Sequence, residues 1–306
     1  MLIPNSSYIK NVIAELKYKY LERMPSDRYP TFFIREYKKR TGQELNLENP
    51  QTYTEKMQYA KLHLNSPLKT QLTDKYRVRE WVQEKIGEEY LIPLLGVWDK
   101  FSEIDFKILP NKFILKTNHS SGWNIIVENK DDLDYQDAKT KMDKWVNSNF
   151  AFVNYLQLQY KDIEPKIIAE EYIADSNGDL NDYKFLCFNG EVYYCWVDLD
   201  RNDEMKRNVY DLNWQLQPWT QNKSFDNTET PLEKPEGFEE MVEIARNLSE
   251  GFSHVRVDLY NVDGKIYFGE MTFTSSGGYS LIHPEEFNHK LGNLWNLEND
   301  EANNIT

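Results

Sequence analysis

The sequence predicts an α+β protein in which a helical first third is followed by two α+β units. Helical periodicity dominates residues 1–100, and two β-hairpin patterns cover residues 182–199 and 254–273. The chain has 306 residues and is 40% hydrophobic. It is therefore long enough for two or three small cores, since single cores stop growing near ~250–300 residues. We expect three parts: 1–110 (helical), 111–173 (α+β) and 174–306 (α+β).

The first hundred residues carry three helical patterns. Residues 7–41 have an apolar stripe at helical spacing, made by Ile9, Val12, Ile13, Leu16 and Tyr20. A Thr-x-x-Glu capping box predicts the start of a helix over 52–64. Residues 74–86 form another amphipathic pattern, which Gly87 ends.

The middle of the chain changes to β-like runs. Residues 112–119 and 123–130 predict two strands, joined by a turn of small residues. A helix pattern covers 135–147, and residues 166–173 predict a further strand.

Two hairpins dominate the last part of the chain. They turn on Asn189-Gly190 and Asp263-Gly264, pairs that tolerate positive φ. Residues 200–235 between them are polar and contain prolines, so we expect a long surface excursion. A helix pattern over 236–250 precedes the second hairpin.

The net charge of −14 is unevenly spread. Residues 1–41 carry nine Lys/Arg against four acids, which gives +5 and leaves −19 for the rest. An acidic body argues against a nucleic-acid-binding protein, because neutralising phosphates needs clustered cations. The basic segment suits an anionic membrane surface, an acidic polymer or simply a solvated helix face.

Compartment signals favour the cytoplasm. No run of about 18 apolar residues predicts a membrane-spanning helix, and the first residues, MLIPNSSYIK, lack the apolar core of a signal peptide. Two cysteines, Cys187 and Cys195, do not suggest a disulfide framework.

The second hairpin holds the most specific chemical pattern. Its turn brings Asp258 to within one or two residues of the level of Glu270. Adjacent carboxylates repel unless a cation lies between them, and hard oxygen ligands suit Mg²⁺. Arg256 shares a face with Asp258 and supplies a guanidinium for phosphoryl or acyl-phosphate charge. An ordinary surface hairpin with unrelated acids is the alternative.

A second pattern follows a predicted strand that ends in Lys116. The next residues include His119 and a small-residue turn, which lets backbone N–H groups approach a phosphate while a lysine supplies charge. A plain hairpin is the alternative. The turn residues are Ser120, Ser121 and Gly122.

A third pattern lies at a strand end, over Glu170, Glu171, Tyr172 and Ile173. This segment and the following loop with Asp179 offer backbone groups to an adenine and a carboxylate to a ribose. A solvated strand end explains it equally well. Lys184 on the next strand faces either a polar cleft or an exposed edge.

Together these patterns resemble the ATP-grasp superfamily, and more narrowly its teichuronopeptide-biosynthesis (TupA-like) branch. Six segments carry the resemblance, in order from about residue 30 to about 280. They are NPQTYTEKMQYAKL, DKYRVREWVQEKIGEEYLIPLLGVW, FILKTNHSSGWNII, IIAEEYI, DYKFLCFNGEV and RVDLYNVDGKIYFGEMTF.

The resemblance implies a helical N-terminal lobe and two α+β lobes that clamp ATP. It places Lys116 and the loop 119–122 on the phosphates and the segment 170–173 on adenine. Lys184 is expected near the triphosphate and Arg256 near the reacting carbonyl or the γ-phosphate. The implied Mg²⁺ ligands are Asp258, Glu270 and Thr272.

Two departures from the family pattern stand out. Thr272 occupies a position where such ligases often have Asn, and a hydroxyl is the weaker ligand, which puts a second metal ion in doubt. Trp123 follows the loop where the branch often has Gly, and we expect it to pack against the lobe rather than serve as a lid. For His119 we favour a phosphate contact over a loop-holding hydrogen bond.

The implied activity is a carboxylate–amine ligase that uses ATP and an acyl phosphate. The family context suggests surface-polysaccharide biosynthesis, with a uronic acid as acceptor and an amine or amino acid as the second substrate. Alternatives are a glycosyltransferase using Asp198-Leu199-Asp200, a sugar kinase, and a non-catalytic polysaccharide-binding module that retains ATP.

Overall fold

The computed structural model describes residues 6–153, 156–174, 180–199, 206–221 and 231–300. Nine α-helices lie in these residues. They are α1 (Ser6–Glu22), α2 (Tyr29–Thr41), α3 (Tyr53–His63), α4 (Pro67–Thr73), α5 (Val78–Lys85), α6 (Tyr135–Val146), α7 (Phe150–Val153), α8 (Phe238–Ser249) and α9 (Glu285–Leu294).

Eleven strands in the same residues form three antiparallel sheets. The orders are β1-β4-β2-β3, β10-β9-β5-β6-β7 and β11-β8. The strands are β1 (Leu94–Trp98), β2 (Phe113–Thr117), β3 (Asn124–Val127), β4 (Ile167–Glu171), β5 (Asp182–Phe188), β6 (Glu191–Leu199), β7 (Lys206–Asp211), β8 (Thr220–Gln221), β9 (His254–Val262), β10 (Lys265–Thr272) and β11 (Ile282–His283).

The N-terminal helical region is broken where prolines occur. The pattern over 7–41 becomes two helices, because Pro25 precedes a 3₁₀ turn and Pro30 lies in the first turn of α2. The capping box of α3 is present. The Thr52 side chain accepts from Glu55 N, and Glu55 Oε2 accepts from Thr52 N at 2.9 Å.

The four-stranded sheet joins two of the expected parts of the chain. Strand β1 lies in the segment 1–110, yet it pairs with β4 of the segment 111–173, with Val97 opposite Ile168. This pairing connects residues about 70 positions apart, which local periodicity does not reveal.

The five-stranded sheet has two unlike faces. One face carries Phe185, Val257 and their neighbours, and packs on α8. On the other face, one half is apolar and includes Leu186, Phe188 and Trp196, which pack with α3 and α9 residues such as Tyr53 and Leu291. The remaining half of that face carries charged side chains, so the site lies where the apolar cover ends.

The expectation of a surface excursion over 200–235 is wrong for part of that range. Residues 206–211 form β7, which pairs with β6, and its central residues Arg207, Asn208, Val209 and Tyr210 are buried. The sequence did not predict this strand, because two of its four buried residues, Arg207 and Asn208, are polar.

Candidate functional site

Asp258 and Glu270 lie directly opposite each other on β9 and β10. The ladder runs regularly from the turn to the Leu259–Phe268 pair and then shifts by one residue. Gly269 is the extra residue of this bulge. A Cβ on Gly269 would lie 3.0 Å from the Asp258 carbonyl oxygen, so the close approach requires glycine.

The Arg256 guanidinium contacts both carboxylates of this pair and two neighbouring hydroxyl groups. Its Nε and Nη2 donate to the two Asp258 carboxylate oxygens at 2.7 and 2.6 Å, and Nη1 donates to Ser275 Oγ at 2.8 Å. Nη2 also lies 3.1 Å from Thr272 Oγ1 and 3.4 Å from Glu270 Oε1. This bidentate geometry fixes both Arg256 and Asp258.

The two carboxylates differ in their electrostatics. Burial raises the pKa of Asp258 to about 7, against the lowering effect of Arg256 and Lys184. Burial also raises the pKa of Glu270, but Lys75 and Arg256 outweigh it and hold that pKa at about 2. Glu270 is 31% exposed, so it is a charged carboxylate that still faces the cleft.

Lys184 lies on β5 directly opposite Asp258. Its Nζ contacts Asp182 and lies 3.1 Å from Asp198 Oδ2 and 3.9 Å from Asp258 Oδ2. Lys184 is 6% exposed. The residue therefore belongs to the polar cleft and not to an exposed sheet edge.

The charged row continues to β7. Arg207 makes a bidentate contact with Asp198, with Nη2 at 2.8 Å from Oδ2, and its Nη1 donates to Gln221 Oε1 at 2.9 Å. Although burial raises the pKa of Asp198, Arg207 and Lys184 lower it well below its usual range. Asp198 thus faces cations rather than an open metal position, and Asp200 lies outside the described residues.

Lys116 is the penultimate residue of β2 and lies at the cleft between the four-stranded and five-stranded sheets. Its Nζ lies 2.5 Å from Glu170 Oε2 on β4, and Arg79 Nη1 lies 3.7 Å from Glu170 Oε1. The side chains of Lys116, Arg79 and Glu170 line a small pocket that Lys75 and Gly269 also border. The pocket therefore places Lys116 and Glu170 of the four-stranded sheet next to Phe268 and Gly269 of the β9–β10 hairpin.

Lys75 is a site residue that sequence reasoning missed. Its backbone N donates to Asn118 O at 3.0 Å, its Nζ donates to Ser120 O, and Nζ lies 3.7 Å from Glu270 Oε2. Burial lowers the pKa of Lys75, an effect that Glu270 partly offsets. The available signal was the Asp-Lys-Tyr sequence in the turn before α5, where Asp74 Oδ1 accepts from Tyr76 N at 2.8 Å.

The turn after β2 divides into a buried and an exposed part. Ser120 is 1% exposed and its Oγ contacts Thr117 Oγ1. Ser121 and Gly122 are exposed, and Gly122 has φ +75°. The exposed backbone of these two residues is the part that a phosphate can reach.

His119 is placed differently from the expected phosphate contact. It is 1% exposed, its Nε2 lies 3.1 Å from Ser148 O, and its Nδ1 lies 3.3 Å from Asn118 Oδ1. Burial lowers its pKa. Because both ring nitrogens lie within hydrogen-bond distance of protein oxygens, His119 holds the loop in place. This was the alternative to the phosphate contact.

Trp123 packs against residues of α6 and α7, as expected. Its ring stacks on Trp145 with 6.0 Å between centroids and meets Phe150 edge-on at 5.2 Å. This aromatic packing fixes the position of Trp123 and so restricts the end of the loop 119–122 that precedes it.

The segment 170–173 lies at the end of β4. Glu171 is exposed, and its backbone N donates to Pro93 O at 3.1 Å. Tyr172 and Ile173 are half-buried, and the Lys112 ammonium lies 5.6 Å from the Tyr172 ring. Glu170 points instead to Lys116, and Asp179 lies outside the described residues.

A turn after β10 also joins the site. Besides Ser275, which receives the Arg256 bond, it contains Ser276, Gly277 and Gly278, all with positive φ. Lys61 on α3 donates to Gly277 O at 3.0 Å and is fully buried. The Ser-Ser-Gly-Gly run was the signal for this turn, although no role followed from it.

Glu270 and Thr272 offer oxygens that suit a magnesium ion, whereas both carboxylate oxygens of Asp258 accept hydrogen bonds from Arg256. Mg²⁺ takes one or two carboxylates and leaves other positions to water and phosphate oxygens. Glu270 and Asp258 supply the carboxylates and Thr272 a hydroxyl 3.0 Å from Glu270 Oε1. In the part of the chain that the structure describes, no group of three or more His, Cys, Asp and Glu side chains is arranged for a metal.

The four-stranded and five-stranded sheets meet at a pocket bordered by Lys116 and Gly269, with the Asp258–Glu270 pair on the adjoining strands. A sequence profile described as "TupA-like ATPgrasp" matches residues 55–296. The chain therefore belongs to the TupA-like ATP-grasp family, and the predicted fold class and family are confirmed.

Solved structures with detectable similarity are distant. D-alanine–D-alanine ligase from Bacillus anthracis complexed with ATP is 16% identical, with a TM-score of 0.40 over 68% of this chain and 56% of that chain. N5-carboxyaminoimidazole synthase from Aspergillus clavatus, complexed with ADP and an aminoimidazole ribonucleotide, is 13% identical. Its TM-score is 0.38, over 66% of this chain and 44% of that chain.

Phosphoribosylamine–glycine ligase from Thermotoga maritima gives 12% identity and a TM-score of 0.37, over 67% of this chain and 48% of that chain. The chain spans about half the length of these structures' chains. No curated protein sequence matches the chain. The family match alone carries the classification.

Proposed function

We propose that this protein is a Mg·ATP-dependent carboxylate–amine ligase that activates a sugar carboxylate as an acyl phosphate and forms an amide. One observation carries the proposal. Cations from three separate elements, Lys75, Lys116 and Arg256, converge on a cleft that also holds Glu270. Such convergence neutralises a triphosphate and a developing oxyanion.

On this proposal the phosphate contacts come from both walls of the cleft. Lys116 lies on the four-stranded sheet, and Lys75 is bonded to the turn that follows β2. Both contribute to one wall, together with the exposed backbone at Ser121 and Gly122. Lys184 lies on the opposite wall, beside Asp258. The segment 171–173 borders the adenine through backbone groups.

A single magnesium ion fits Glu270 and Asp258 best, with Thr272 as a weaker partner. When bound, the ion neutralises phosphate charge and aligns the terminal phosphate for transfer. In the structure both Asp258 oxygens receive hydrogen bonds from Arg256, whereas Glu270 is the partly exposed carboxylate. Glu270 is therefore assigned as the principal ligand.

The chemistry follows from the leaving group. A carboxylate attacks the γ-phosphorus of ATP, ADP leaves, and the new acyl phosphate has phosphate as its leaving group. An amine nitrogen then attacks the carbonyl carbon, phosphate departs, and the amine loses a proton. Arg256 stabilises the tetrahedral oxyanion, and the reaction needs no nucleophilic side chain.

The acceptor proposal rests on the family. We assign a uronic acid carboxylate of a surface or capsular polysaccharide precursor, joined to an amino acid or another amine. The helical region 1–110 supplies much of the open side of the cleft through Lys75 and Arg79, so it is the natural place for the acceptor.

The two catalytic alternatives differ in how they fit the site. A glycosyltransferase metal at Asp198 competes with Arg207 and Lys184 for the same oxygens. A sugar kinase uses the same cleft and differs only in the acceptor atom.

Product analysis tests these assignments. The protein is incubated with ATP, Mg²⁺, candidate uronates and amines, and the phosphorus products and organic masses are identified. A ligase gives ADP, free phosphate and an amide. ADP with a phosphosugar assigns a kinase, and consumption of a nucleotide sugar without ATP assigns a glycosyltransferase; either result overturns the proposal.

A further inference from the structure

Helix α1 is attached to the protein by one side. Leu21 is fully buried in the core formed by α2 and α7. The Tyr18 ring meets Phe152 edge-on at 6.5 Å, and its hydroxyl accepts from Asn149 N at 3.1 Å. The C-terminal half of α1 is therefore fixed in orientation.

The opposite side of α1 presents large apolar side chains to solvent. Leu16 and Leu21 are five positions apart, so at ~100° per residue their side chains diverge by ~140°. Ile13 is 59% exposed, Leu16 63% and Tyr20 52%, with Val12 at 38%. Among the described residues, ten large hydrophobic side chains are exposed, and these four share one helix. Such concentration marks an interaction surface.

Cations border this apolar stripe. Lys19, Arg23 and Arg28 line a surface pocket together with Tyr20 and other apolar groups. All three cations are exposed, and Lys19 shares its charge with Glu15 at 2.7 Å. We call Val12, Ile13, Leu16 and Tyr20, with these three cations, the α1 surface.

We propose that the α1 surface docks on an anionic lipid bilayer. An exposed apolar stripe flanked by basic residues is the pattern of a helix that lies in the membrane interface. Cationic side chains add attraction to anionic headgroups. Residues 1–41 carry +5 while the rest of the chain carries −19, so net charge favours the approach of this region over the rest of the chain.

The charge asymmetry also orients the bound protein. The acidic body is repelled by the same headgroups, which leaves α1 and α2 as the side that approaches. A second copy of this chain is a poorer occupant, because paired α1 surfaces bring their cations together.

Vesicle co-sedimentation with the full chain tests the proposal. We expect binding to phosphatidylcholine vesicles containing about 30% phosphatidylglycerol to exceed binding to pure phosphatidylcholine by ~10-fold. Binding should weaken by ~10-fold between about 0.05 M and about 0.5 M NaCl. Equal binding to the two vesicles, or none to either, overturns the proposal.

Matched variants separate docking from general charge effects. Ile13→Glu/Leu16→Glu should lose vesicle binding, whereas Ile108→Glu/Ile126→Glu, which changes equally exposed residues elsewhere, should keep it. Lys19→Glu/Arg23→Glu/Arg28→Glu should lose binding, whereas Lys100→Glu/Lys107→Glu/Lys265→Glu should not. Loss in both members of either pair contradicts the assignment.

Sedimentation without vesicles measures the oligomeric state and so tests whether a second copy of the chain covers the α1 surface instead. We expect the same oligomeric state for the wild type and for Ile13→Glu/Leu16→Glu. A wild-type dimer that this variant dissociates would assign the α1 surface to a second copy of the chain and overturn the lipid proposal. Circular dichroism of each variant verifies that the fold is retained.

Discussion

Glu270 faces Asp258 because Gly269 is displaced from the β9–β10 ladder. Continued regular pairing from the turn at Asp263-Gly264 would place Gly269 opposite Asp258. Glu270 would then lie opposite Val257, on the apolar face, since a one-residue slip reverses side-chain direction. The bulge is therefore what brings both carboxylates to the same cleft.

Gly269→Ala should damage activity more than stability. The added Cβ would lie 3.0 Å from the Asp258 carbonyl oxygen and 3.1 Å from the Tyr260 ring, so the bulge must shift. We expect a loss of ~1–3 kcal/mol in the free energy of unfolding and a much larger relative loss of ATP-dependent turnover.

Gly190→Ala is the matched control for this prediction. Gly190 has φ +79° at the tip of the other hairpin, and a Cβ there approaches Glu250 Cα at 3.8 Å. We expect a comparable loss of stability in urea unfolding with normal turnover. Equal turnover in the two variants would contradict the role of the bulge.

Glu270→Gln should abolish turnover and leave the fold intact. An amide keeps the shape but removes the charge that faces Lys75 and the proposed metal. We expect kcat to fall by ~10²–10³-fold, the range seen when one preorganised electrostatic group is removed. Glu233→Gln, an exposed carboxylate away from the cleft, should have no effect. Normal activity in Glu270→Gln would refute the metal assignment.

Lys75→Met should weaken the use of ATP. The ammonium holds Ser120 O and faces Glu270, and a hydrogen bond from a charged group contributes ~1.5–3 kcal/mol. We expect kcat/KM for ATP to fall by ~10–100-fold, with partial recovery in Lys75→Arg. Lys85→Met, which removes the ion pair between α5 and the exposed Glu250 at the end of α8, serves as the control. An unchanged kcat/KM would exclude Lys75 from the site.

The stability of the protein should fall below pH 6.5 because of His254. The imidazole is buried against Phe188 and Trp295 and bonded to Cys187 O at 2.7 Å, and burial lowers its pKa to about 3. The unfolded chain therefore binds a proton between pH ~6.5 and ~3 that the folded chain does not. Stability from this group is complete above pH ~6.5 and is lost as the pH falls.

Urea unfolding at two pH values measures this effect. We expect His254 to account for about 1–2 kcal/mol of the loss between pH 7.5 and 5.5. The pH dependence should flatten in His254→Gln and persist in His289→Gln, which changes an exposed histidine. Identical pH profiles in all three proteins would contradict the assignment.

Local patterns gave much of the fold correctly. Both hairpin turns are confirmed, with Val262 opposite Lys265 and Phe188 opposite Glu191, as is the capping box of α3. These features depend on a few neighbouring residues. The pairing of β1 with β4 and the strand β7 did not emerge, because they depend on partners distant in the sequence.

Part of the candidate site followed from the sequence, but most of its contacts did not. Arg256 and Asp258 are two positions apart on one strand, so their shared face follows from periodicity. The bulge at Gly269 does not, since glycine in a strand indicates several irregularities. Lys75 reaches the cleft from a helical region, and only tertiary packing reveals this. The same holds for the Arg207–Asp198 pair.

Among the described residues, no helix combines the length and apolar character that a bilayer crossing needs.

Lys75 ties the two sides of the cleft together. Two hydrogen bonds attach it to the turn after β2, and a longer contact of 3.7 Å joins it to Glu270. On either side of it in the sequence, Leu72 and Val78 are buried in the core that α8 shares with β9 and β10. The turn that faces the phosphates is therefore anchored, through one lysine, to the five-stranded sheet that carries both carboxylates.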